Sequence, residues 1–115
     1  PKEAITLLRE EIPKHPNSGL LHSELATTLV NSGKRDEAIT AFKSNVERYP
    51  NSANVYDSLG EAYEKFGKLN LAKPNYEKAV ELATKTNDPN LPVFKANFER
   101  VSDVLKKSAD AKGNK

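Results

Sequence analysis

The stretch Asn51-Ser52-Ala53-Asn54-Val55-Tyr56-Asp57-Ser58-Leu59-Gly60-Glu61-Ala62-Tyr63 decides the fold, because its framework occurs a second time 34 residues upstream. Pro16-Asn17-Ser18 stands before Leu25 as Pro50-Asn51-Ser52 stands before Leu59. The register continues through Gly33 and Gly67, Lys34 and Lys68, Ala38 and Ala72, Phe42 and Tyr76, Val46 and Val80, and Glu47 and Glu81. A fixed period of this length marks stacked units, since one such unit buries its apolar face only against a neighbour.

Working outward, each half of each copy reads as a helix. In the quoted copy Val55, Tyr56, Leu59, Gly60, Ala62, Tyr63 and Phe66 fall at helical spacing, and Gly67 ends the helix. The next helix, predicted over 69–83, is apolar at Leu71, Ala72, Tyr76, Ala79, Val80 and Leu82. Pro74 lies inside it, which predicts a late start capped by Asn70, or a kink. Upstream, Leu21, Leu25, Ala26, Leu29 and Val30 make one helix ending at Gly33. Ala38, Ile39, Ala41, Phe42, Val46 and Tyr49 make another over 36–49. Ala4, Leu7, Leu8 and Ile12 predict a first helix over 3–12 that stops before Pro13. The turn Pro16-Asn17-Ser18-Gly19 offers a side chain to cap the helix after it. Downstream, Asn87-Asp88-Pro89-Asn90-Leu91-Pro92 is a longer connector. Phe94, Phe98, Val101 and Leu105 then recur at i, i+4, i+7 and i+11 in a last amphipathic helix, beside Val93 and Val104. Ser108 to Lys115 is small and polar and reads as a disordered tail. Period-two alternation is missing, so no strand is expected.

A bulky residue, then Leu-Gly, then Tyr, then Ala, an aromatic and a second Ala resembles the tetratricopeptide repeat, and Tyr56, Leu59, Gly60, Tyr63, Ala72, Tyr76 and Ala79 fill that pattern. The first copy matches at Leu25, Ala38, Phe42 and Pro50. It departs at His22, Ala26, Leu29 and Asn45. The resemblance implies an all-α fold: about six helices, in antiparallel pairs stacked as a right-handed superhelix. Residues 1–16 would be the second helix of an incomplete repeat, 19–52 and 53–86 two repeats, 91–107 a capping helix and 108–115 the tail, with 1–107 one domain. The wording of the quoted stretch also resembles repeats on the C-terminal side of bacterial serine hydrolases of the esterase or β-lactamase type.

Composition bounds the function. The chain of 115 residues carries 18 basic and 16 acidic side chains, a balance of +2 that gives no strong pull toward nucleic acid or an anionic membrane. It has no Cys, so disulfides and thiolate chemistry are excluded, and compartment stays open between cytoplasm and periplasm. No apolar run approaches the roughly 20 residues of a membrane span. The start at Pro1-Lys2-Glu3-Ala4 has neither an initiator Met nor a signal-peptide pattern, and the chain is read as a segment of a longer protein.

No constellation of catalytic, cofactor or metal-binding residues emerges. His15 and His22 lie seven apart across the Pro16 turn, off the shared face that a helical zinc site needs. Ser23, Ser52 and Ser58 lack a nucleophile-elbow context, and Gly33-Lys34 and Gly67-Lys68 lack the other glycines of a phosphate loop. The reading is therefore no enzyme and no cofactor. The resemblance implies a concave groove lined by the first helix of each repeat, binding a peptide or partner protein. Its expected residues are Thr27 and Asn31 from the first copy, and Asn54, Asp57 and Glu61 from the second at i, i+3 and i+7, with Lys95 flanking them. Neither Asp57 nor Glu61 is expected in the core. The alternative is an accessory domain of a larger enzyme that packs or oligomerises, and the apolar first helix predicts self-association.

Overall fold

The computed structural model describes residues 2–14 and 19–113 and contains, among them, six α-helices and no strand. They are α1 (Lys2–Glu11), α2 (Gly19–Asn31), α3 (Arg35–Arg48), α4 (Ala53–Lys65), α5 (Leu69–Thr86) and α6 (Leu91–Gly113), with a 3₁₀ turn at Ile12–Lys14 after α1. The all-α architecture read from the periodicity is the one found. The turn Pro16-Asn17-Ser18, His15 and the side chain of His22 lie outside the described residues.

The chain divides into two compact units, Pro1–Pro50 and Asn51–Lys115. In the first, α1 packs on α2 and α2 on α3. The inward residue of α1 is Ile5, while Leu7 stands 60% exposed. This corrects the expected stripe of Ala4, Leu7, Leu8 and Ile12: a helix turned to seat Ile5, Leu8 and Ile12 at i, i+3 and i+7 must carry Leu7 outward. Past Glu11 the chain tightens into a 3₁₀ turn that accepts Pro13, whose missing N–H and fixed φ suit such a short turn better than a continuing α-helix. In α3, Ala38, Phe42 and Asn45 are buried at i, i+4 and i+7, with Asp36 and Glu37 at its positive end and Arg48 at its negative end.

In the second unit α4 packs on α5 and α5 on α6. Ala53, Ala79, Leu82, Ala83 and Phe94 form a core cluster with Tyr56, Val80 and Leu91 packed against it. Tyr76, Phe94 and Val101 are almost fully enclosed, and burial of an aromatic side chain of this kind stabilises by about 1.5–3 kcal/mol.

Helix ends follow a shared device. The Gly33 N–H donates to Val30 O and the Lys34 N–H to Leu29 O, and the Gly67 N–H and Lys68 N–H repeat this with Glu64 O and Tyr63 O. Such a turn requires a left-handed residue, and φ is +75° at Gly33 and +77° at Gly67. After α5 Asn87 fills the same role at φ 53°, with the Asp88 N–H donating to Ala83 O.

Three sequence expectations change. Helix α5 begins at Leu69 and carries Pro74 within it, so the late start is not adopted. Pro74 leaves Asn70 O without its i+4 donor, and Asn75 Nδ2 donates to the adjacent carbonyl, Leu71 O, at 2.8 Å. The helix also extends three residues past Ala83, where the hydroxyls of Thr84 and Thr86 donate to Val80 O and Leu82 O. Finally α6 runs to Gly113 instead of ending at 107. Residues 108–113 hold two Ala and a Lys with no Pro, so nothing breaks a helix that the buried Phe94 and Val101 have already nucleated.

Candidate functional site

The polar side chains of the second unit converge on one side of α4, and a close helix approach puts them there. Gly60 lies under the ring of Tyr76: a Cβ at position 60 would sit 2.7 Å from Tyr76 Cδ1. With no side chain in the way, α5 comes close enough for the Tyr76 hydroxyl to pass over α4 and donate to Glu64 Oε1 at 2.7 Å. From α6, Arg100 grips the same carboxylate with two donors, Nη2 to Oε1 at 2.6 Å and Nε to Oε2 at 2.9 Å. Arg100 Nη1 also donates to Asn97 Oδ1 at 3.0 Å, and Asn97 Nδ2 donates to Asp57 Oδ1 at 2.9 Å. One hydrogen-bonded chain thus ties α5, α4 and α6 together. A planar guanidinium on a carboxylate gives the geometric specificity that a lysine would not.

Charge follows position. The Arg100 hydrogen bonds, helped by Tyr76, hold the Glu64 carboxyl below its ordinary value. Burial pushes Asp57 up against the opposing pull of Asn97. Burial and then the neighbouring Asp57 charge push Glu61 up. Burial, with Glu64 as hydrogen-bond acceptor, raises Tyr76 far enough that it stays a donor.

The sequence-predicted residues separate. In the first unit, Thr27 and Asn31 are exposed on α2, Thr27 bordering an open depression of about 500 Å³ that Ala4, Leu7, Leu8, Glu24 and Thr28 also line. In the second unit, Asn54 and Glu61 are exposed, but Asp57 is only 7% exposed. This corrects the expectation that Asp57 lies outside the core: Asn97 of α6 covers it and satisfies one oxygen. Lys95 is exposed, and the bridge from α6 to Asp57 is made by Asn97, because residues two apart on a helix point to nearly opposite sides. Sequence reading missed Asn97 and Arg100. Their i, i+3 spacing beside the apolar stripe of α6 was a usable signal, since it places two polar groups on a second face shared with Val93 and Val104. Among the described residues no three His, Cys, Asp or Glu side chains are placed to hold a metal ion, and no helix is long and apolar enough to cross a membrane.

The helix pair α4 and α5 decides the comparison with known proteins. Residues 53–86 match the sequence model of the tetratricopeptide repeat. Tetratricopeptide repeats generally mediate protein–protein interaction. Among solved structures, the solution structure of protein BPP2914 from Bordetella parapertussis is similar over 86% of this chain and 87% of its own, with a TM-score of 0.70 and 16% identity. At that identity the likeness shows the fold alone. No curated protein matches the chain.

Proposed function

We propose that this protein is a non-catalytic interaction module that holds a peptide or partner protein on the first helices of its repeats, with α2 and α3 a first repeat, α4 and α5 a second, and α6 a cap. The observation that carries the reading is the tetratricopeptide match on α4 and α5, where the tyrosines go into the core and Asn54 and Glu61 stay outward. In the second unit Asn54 and Glu61 take the partner directly, with Lys95 as a further contact; in the first unit the residues proposed for the same role are Thr27 and Asn31. Asp57 supports Asn54 and Glu61 from beneath. Each exposed polar or ionic contact is worth about 0.2–1 kcal/mol, so binding is weak and salt-sensitive.

A random peptide library selected on the full chain tests this. Enriched peptides should lose binding to Asn54→Ala and to Glu61→Lys and keep it with Lys43→Ala and Glu47→Ala on the outer face. Binding lost instead at Lys43 and Glu47 overturns the assignment. Support for the second reading, an accessory domain that packs on a larger enzyme such as a bacterial serine hydrolase or on a second copy, comes from the exposed Leu7 beside the depression on α1 and α2.

A further inference from the structure

The 34-residue register gives α1 a face that the equivalent helices keep covered. Where α2 packs on α3 and α4 on α5, Ala38, Phe42, Ala72 and Tyr76 are at most 5% exposed, and Gly60 of α4 lies under the Tyr76 ring. Ala4 and Leu8 hold the same two positions on α1. Both are only half-buried, and Leu7 beside them is 60% exposed. With Glu24, Thr27 and Thr28 of α2 they line the open depression of about 500 Å³. In the register this is the seat of a first helix paired with α1.

Helix α6 is the converse. It follows two complete helix pairs and buries Phe94 and Val101, Phe94 in the cluster with Ala79, Leu82 and Ala83 of α5. On the flank of that stripe Phe98, Ser102 and Leu105, at i, i+4 and i+7, stay only half-buried. Next round the helix come Lys95 and Lys106, both exposed.

We propose that the seat on α1 and α2 takes α6 of a second copy, so that α6 of one molecule and α1 of the next make one complete repeat. This rests on the reading of the chain as one that packs on a second copy, and names the helix that does so. Two observations select α6. A repeat stack buries each layer against the next, so a first helix laid on α1 and α2 continues the packing already present in α2–α3 and α4–α5. Charge agrees with it: the seat has Glu24 on its rim, and the Phe98–Leu105 strip is bordered by two lysines. Pairing α1 with α1 would instead set two Glu24 rims together. Each surface lies within one compact unit of its own chain. Because the two surfaces differ, the contact is heterologous and runs on past a dimer.

Sedimentation of the unaltered chain, of Leu7→Lys and of Leu105→Lys, each alone and the two variants mixed one to one, tests this, with folding checked by circular dichroism. The average mass of the unaltered chain should rise with concentration past that of a dimer. Each variant retains one competent surface, so each alone should stay monomeric, whereas their mixture should recover a dimer and go no further. Amide shifts of the unaltered chain on dilution read the contact without a substitution, should Leu105→Lys fail to fold. Leu7 and Thr27 should move together with Phe98 and Leu105, with one concentration dependence. A monomer at every concentration overturns both this inference and the second-copy reading beneath it. Association that survives Leu105→Lys, or shifts that move on α1 and α2 while α6 stays still, overturns the inference alone and gives the seat a different occupant.

Discussion

The helix pairs α2–α3 and α4–α5 hold the same register and solve one packing problem with different chemistry. At matching register positions the first pair has Ala26 and Phe42, both buried; the second has Gly60 and Tyr76 in close contact. Where Tyr76 sends its hydroxyl to Glu64, the first pair carries Phe42 and, at the Glu64 register position, Val30. Removing the hydroxyl and the carboxylate together leaves nothing unsatisfied, so the apolar version needs no third partner. The polar version does need one: Glu64, drawn toward the core by Tyr76, is completed by Arg100 of α6. In the second pair the extra polar group is completed by a side chain of α6.

Gly60→Ala should break this arrangement most. The added Cβ meets a fully buried ring at 2.7 Å, which costs about 1–3 kcal/mol in overpacking, set against about 0.8–1.0 kcal/mol of helix propensity gained. A lower urea midpoint with an unchanged m-value is expected. The reciprocal Ala26→Gly should also destabilise, by about 0.5–1 kcal/mol from the backbone alone. If Gly60→Ala stabilises the protein, the close approach at Tyr76 is not what selects glycine there.

The turns test the shared part of the two pairs. Gly33 and Gly67 have open space around them and near-identical positive φ, so alanine at either is penalised by backbone conformation and not by contact. Each substitution should cost about 1–2 kcal/mol, and nearly the same at both. Thermal melts of the two variants check it; a marked inequality would mean that the two turns are not equivalent.

Tyr76→Phe sharpens the contrast further. It should cost about 1 kcal/mol in the unaltered chain, where the hydrogen bond to Glu64 is lost, and less in a Glu64→Val background, where that acceptor is already gone. Equal losses in the two backgrounds, by chemical denaturation, would show that the hydroxyl contributes nothing through Glu64.

Periodicity made the helices legible, since apolar spacing directly encodes the buried face, and it placed Phe94 and Val101 correctly in α6. It read the outer surface less well. Asp57 escapes the apolar stripe of α4 and so reads as exposed, but a third helix covers that side, and only the pairing with Asn97 forty residues on reveals it. Pro74 predicts a late start or a kink, yet α5 starts at Leu69 and runs through it. The spacing shared with Leu8 reads Leu7 as inward, and packing on α2 buries Ile5 and leaves Leu7 exposed.

Leu7→Lys has the smallest effect on folding and is the clearest test of the first unit's outer face. Leu7 is 60% exposed beside Ala4, Leu8, Thr27 and Thr28, so lysine there should change stability by no more than about 0.5 kcal/mol. An exposed leucine over an open apolar depression is the kind of surface that association covers. If the accessory reading holds, the unaltered chain should sediment with an average mass that rises with concentration, and Leu7→Lys should return it to a monomer while its unfolding midpoint stays put. A monomer at every concentration, indifferent to Leu7→Lys, removes the support for that reading and leaves the face of α4, with Asn54 and Glu61, as the surface on which a partner is to be sought.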